Sequence, residues 1–102
     1  MSKEDNRYNC RVPENPLDWY ALIESTNSIL NELIAYTGRE QIAELQKERP
    51  DQKRLADLKA YFKEIHAINR NVDNFKHAGR MQEIIDIYSP QLRKVNRGGQ
   101  IV

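Results

Sequence analysis

Leu55, Leu58, Phe62, Ile65, Asn69 and Val72 recur at spacings of 3, 4, 3, 4 and 3. That is coiled-coil spacing, and it predicts a long amphipathic helix lying lengthwise on another helix. The partner stands upstream. Tyr20, Ile23, Asn27, Leu30 and Ile34 follow at 3, 4, 3 and 4, Leu22 and Leu33 broaden the stripe, and Ile42 and Leu45 extend it. Asn15 is placed to cap this first helix, Pro16 suits its first position, and Asp18 sits where the dipole favours a carboxylate. Gly38 either ends the helix near Thr37 or lies inside it at a cost of about 1 kcal/mol relative to alanine.

Arg49 precedes Pro50, which disfavours helix there and marks a turn, and Asp51 can cap the next helix. The second helix is expected to reach about Ala78, with Gly79 as its stop. Met81, Ile85, Tyr88, Leu92 and Val95 mark a shorter third segment, with Ser89 and Pro90 at its middle as a kink or a fresh start. The expected fold is all-α: an antiparallel helical hairpin turning near Pro50, with a shorter C-terminal third helix and coiled-coil-like packing. Residues 1–15 read as a flexible arm, 16–96 as one helical-bundle domain, and 97–102 as a polar tail.

A chain of 102 residues fits one small domain with a modest core, for which self-association is a natural supplement. Its net charge of +1 gives no polyanion-binding signature. The single cysteine, Cys10, supports no internal disulfide. No apolar run is long enough for a membrane span, and MSKEDNRYNC lacks the apolar centre of a signal peptide. The expectation is a cytoplasmic protein.

The stretch HAINRNVDNFKH, from His66 to His77, raises a question because asparagine is a poor helix former. If facing residues of the hairpin have numbers summing to roughly 100, Asn31 meets Asn69, with Asn27 near Asp73. Asn27, Asn31, Asn69 and Asp73 are then expected to form a polar layer that fixes register. Asn71 and Asn74 fall off the stripe and read as a solvated face.

One residue along, Lys59, Lys63, His66, Arg70, Asp73, His77 and Arg80 make a largely basic line. The same register pairs it with acids of the first helix: Glu40 with Lys59, Glu32 with Arg70, Glu24 with Lys76 and His77, and Asp18 with Arg80. Otherwise the line is a binding face. Trp19 and Tyr20 either pack on the third segment or, with Tyr8, anchor a partner, and Tyr36 and Tyr61 are half-exposed candidates of the same kind.

Enzyme chemistry finds no support in the residues. His66 and His77 would stand roughly 16 Å apart along one helix, too far to share a metal. Cys10 has no partner for zinc or for nucleophilic catalysis. Gly98 and Gly99 precede no helix that would make a phosphate loop. No catalytic residue, cofactor or metal is expected. The leading expectation is a non-catalytic helical interaction protein that forms a homo-oligomer and binds a larger protein, as an adaptor, inhibitor or assembly component of the size common among phage accessory proteins. The alternative is a nucleic-acid or nucleotide-binding protein using Lys59, Lys63, Arg70 and Arg80, with Arg93, Lys94 and Arg97 assisting.

Overall fold

The computed structural model describes residues 16–102. The arm at 1–15, with Tyr8, Cys10 and the Asn15 cap, lies outside the described residues. The chain is all-α: α1 (Pro16–Leu45), α2 (Gln52–Arg70), a 3-10 turn (Val72–Phe75) and α3 (Ala78–Asn96). No described helix is long and apolar enough to cross a membrane.

α1 is the spine. Its 30 residues run through Gly38 without a break, about 45 Å at the usual rise per residue. Both α2 and α3 pack along it. α2 returns antiparallel, as the Asn31–Asn69 and Glu40–Arg54 contacts require. α3 reverses again, so the Tyr61 hydroxyl donates to Gln91 and the Tyr88 hydroxyl to Glu64. Leu30, Leu33, Tyr61, Ile65, Ile84 and Tyr88 form the core, with Ile68, Phe75, Leu92 and Val95 against it. Burial, then the phenols and carboxylates nearby, pushes the Tyr61 phenol up; burial and Glu64 do the same to Tyr88.

The face that α1 turns inward is not the expected one. Of its expected stripe Leu30 and Leu33 are fully buried; Tyr20, Ile23, Asn27, Ile42 and Leu45 face water, and Leu22 and Ile34 are half-buried. The inner line includes Thr26, Leu30, Leu33, Thr37 and Glu44. The threonines are hidden without penalty because each hydroxyl donates to its own helix: Thr26 Oγ1 to the Leu22 carbonyl at 2.8 Å, Thr37 Oγ1 to that of Ile34 at 2.7 Å. On α2, Tyr61 lies in the core and its neighbour Phe62 at the margin, the reverse of expectation, and Tyr36 is buried too.

The first turn falls where Pro50 places it. Asp51 Oδ1 caps α2 through the Lys53 and Arg54 amides at 3.0 and 3.2 Å. Behind it, buried Glu44 accepts from the Asp51 amide at 2.7 Å and from Lys47 Nζ at 2.9 Å. The Asp51 amide, then Lys47, hold the Glu44 carboxyl below the usual glutamate range. Arg54 ties Glu40 at 2.8 Å, lies 3.8 Å from Glu44, and donates to the Val102 carbonyl oxygen.

The second turn comes earlier than expected. α2 stops at Arg70 rather than Ala78, and the asparagines end it. Asn71 Oδ1 accepts from the Asp73 amide at 3.0 Å, opening the 3-10 turn. Asn74, expected on a solvated face, is buried. Its Nδ2 donates to the Ile68 carbonyl at 2.8 Å, an oxygen that the Asn71 amide reaches only at 3.4 Å, and its Oδ1 accepts from Arg80 Nε at 3.0 Å. Gly79 therefore belongs to the first turn of α3, which continues through Pro90 to Asn96. Beyond it Gly98, at φ 85°, and Gly99 close the helix by donating to the Val95 and Lys94 carbonyls, both at 2.9 Å. Residues 97–102 are thereby folded back, and Ile101 and Val102 pack on the core.

Candidate interaction surface

Because α1 turns its threonines inward, its apolar surplus is left outside. Leu17 is 78% exposed, Tyr20 62%, Ile42 60% and Leu45 60%, with Ile23 beside them. At about 100° per residue these five fall within one arc of roughly 120°. The arc's middle is polar and small: Glu24, Asn27, Ser28, Asn31, Glu32 and Ala35 line a shallow groove there.

Toward α2 the same face deepens into a groove of 420 Å³ lined by Ile34, Thr37, Gly38, Gln41, Lys59, Phe62 and Lys63. A side chain at Gly38 would meet nothing within 4 Å. No packing among the described residues calls for glycine there, although it costs about 1 kcal/mol relative to alanine in a helix interior. Lys59 and Lys63 stand on the rim, and neither has an ion-pair partner among the described residues.

Charge divides the face lengthwise. On this face the first half of α1 carries Glu24 and no cation, while Asp18 lies on the α3 side beside Gln82 and Ile85. The Tyr20 phenol is pushed up chiefly by its hydrogen bond to Glu24. In the second half, Glu40 and Glu44 are matched by Arg54 and Lys47, while Glu32, Arg39 and the two rim lysines have no ion-pair partner among the described residues. Glu24 thus stands toward one end, Glu32 near the middle, and Arg39 with the rim lysines toward the other end.

The remaining expected site residues scatter. Asn69 Nδ2 donates to Asn31 Oδ1 at 2.9 Å, but Asn27 and Asp73 are exposed and Asp73 pairs with Lys76 at 3.1 Å. Two of the four asparagine-layer residues thus meet, at the margin and not in the core. The basic line is cut where α2 ends: Lys59, Lys63, His66 and Arg70 stay on α2, Asp73 enters the 3-10 turn, His77 precedes α3, and Arg80 pairs with Glu83 at 2.8 Å. The pairings of Glu40 with Lys59 and of Asp18 with Arg80 give way to Glu40 with Arg54 and Arg80 with Glu83. His66 stacks on Phe62 with ring centroids 5.1 Å apart. Trp19 is half-buried, next to the exposed Tyr20. Among the described residues no three of His, Cys, Asp and Glu converge as a metal set.

Sequence reasoning misses Gly38, Leu17 and Leu45 as surface residues because it assigns the apolar members of α1 to the core. The available signal is the presence of more apolar positions on α1 than one stripe holds. Comparison of the chain with protein families, curated proteins and solved structures found no match.

Proposed function

We propose that the chain is a non-catalytic helical interaction protein, working in the cytoplasm as an adaptor, inhibitor or assembly component. It self-associates and docks on a larger protein. The observation that carries this reading is the outer face of α1, where five large apolar side chains lie in water beside a groove and a glycine that the fold itself does not use. Monomers rarely expose so concentrated an apolar face without a contact for it. Two rim lysines with no ion-pair partner among the described residues favour an acidic or two-signed contact over a purely apolar one.

The nucleic-acid reading has less behind it. The basic line does not continue past Arg70, and Arg80 is held by Asn74 and Glu83.

The test is light scattering with absorbance at 260 and 280 nm on protein purified at low salt, then capture from the source cells. A mass above one chain, a protein-only absorbance ratio, and a captured protein lost with Lys59→Glu/Lys63→Glu are the expected results. A raised 260 nm signal that vanishes at high salt would replace this reading with the nucleic-acid one.

A further inference from the structure

We infer that the outer face of α1 takes a second copy of this chain, the two α1 helices lying antiparallel about a two-fold axis at Asn31. This rests on the interaction-protein reading above and names the occupant of its surface.

The face is self-complementary when reversed about Asn31. Leu17 of one copy comes opposite Leu45 of the other, and Tyr20 opposite Ile42, so four of the five exposed large apolar residues cover one another, while Ile23 comes opposite Arg39. Between them bulk meets space: Glu24 falls opposite Gly38, and Asn27 opposite Ala35. A side chain added at Gly38 finds open space in the single chain, and that is where a second helix would come close. An isologous contact needs such a pattern, because each residue must suit its counterpart from both sides.

Charge selects the direction. Antiparallel packing lays Glu24 on the half that carries Arg39, Lys59 and Lys63, beside Arg39 of the second copy. Parallel packing would lay acid on acid and base on base, which costs affinity and steers encounters away.

Asn31 is suited to the axis. Its Oδ1 accepts from Asn69 within the chain at 2.9 Å, which leaves its own amide protons and a second lone pair to exchange with Asn31 of the other copy. An asparagine pair at the centre of an apolar helix contact fixes register, because a slip loses the bonds exchanged between the two amides.

Cross-linking tests the geometry. In a Cys10→Ser background, Asn31→Cys is expected to give a covalent dimer with a short bis-maleimide, and Ser25→Cys, off the face, is not. Leu17→Cys chains are expected to link to Leu45→Cys chains and not to each other. Glu24→Lys and Arg39→Glu should each weaken the dimer several-fold at low salt, and the two changes combined in one chain should restore it. Circular dichroism on each variant confirms that the helices remain. A single-chain mass at all concentrations would overturn self-association and this inference together. A dimer linked through Leu17→Cys to itself, or through Ser25→Cys in preference to Asn31→Cys, would overturn the antiparallel geometry alone.

Discussion

α1 and α3 deal with their apolar residues in opposite ways. α3 is one-sided: Met81, Ile84 and Tyr88 are buried, Leu92 and Val95 lie against the core, and Ile87 is its one large apolar residue exposed to water. α1 has an inner side, shared between α2 and α3, and an outer side with Leu17, Tyr20, Ile42 and Leu45. A helix with one apolar side is finished by its own chain. A helix with two sides has room for one contact more than its chain supplies, and it tolerates threonines and a glutamate inside because each is satisfied locally.

The largest expected effect separates the two sides of α1 itself. Leu33→Ala should lower unfolding free energy by about 3 kcal/mol in a denaturant titration of dilute protein, the usual loss for a fully buried leucine. Ile42→Ala should change it by less than about 0.5 kcal/mol while raising the dissociation constant for self-association. Equal losses would break the comparison.

A smaller effect concerns the asparagines. Asn74→Ala leaves the Ile68 carbonyl with only the 3.4 Å bond from the Asn71 amide and releases Arg80 Nε, for an expected loss of about 1–2 kcal/mol. Asn27→Ala, on the outer side, should leave the unfolding transition in place. A large loss from Asn27→Ala would mean that the outer side is structural within one chain.

Gly38→Ala sharpens the contrast further. It should stabilise the isolated chain by up to about 1 kcal/mol and weaken self-association, a split of signs that a purely internal glycine would not produce. Stabilisation of both would remove Gly38 from the contact.

The mildest effect is one of slope. The Glu44 carboxyl is held below its usual value of 4.5 by the Asp51 amide and Lys47. Its contribution is therefore present above that value and lost as pH falls through the lower folded one. Wild type should exceed Glu44→Gln in stability at neutral pH, and the two acid-unfolding curves should converge as the carboxylate protonates. Parallel curves would show that the charge contributes nothing there.

The features legible in the sequence are local ones. The α2 stripe through Leu55, Leu58 and Ile65, the turn at Pro50, the Asp51 cap and the third helix come from spacing and cap chemistry within a few residues. The rotation of α1 is not legible, because hydropathy ranks Ile42 above Thr37 and cannot see a hydroxyl bonding the carbonyl three residues back. The end of α2 is half-legible. Asparagine favours turns as strongly as it disfavours helices, but an apolar beat through Ile68 and Val72 outweighs that signal. Of the outer face, Tyr20, Lys59 and Lys63 can be named as surface candidates from sequence, whereas Gly38 requires knowing that the helix runs on through it.

The brace at the first turn bears on the order of folding. Glu44, Asp51 and Arg54 tie residues close in sequence, so the α1–α2 hairpin closes a short loop, whereas α3 reaches α1 across a long intervening chain. Contacts of short separation form at low entropic cost and hence early. The hairpin is therefore expected to act as the nucleus onto which α3 docks last. In native-state hydrogen exchange, the amides of α3 should open at lower free energy than those of residues 53–65, and the reverse order would place the nucleus elsewhere.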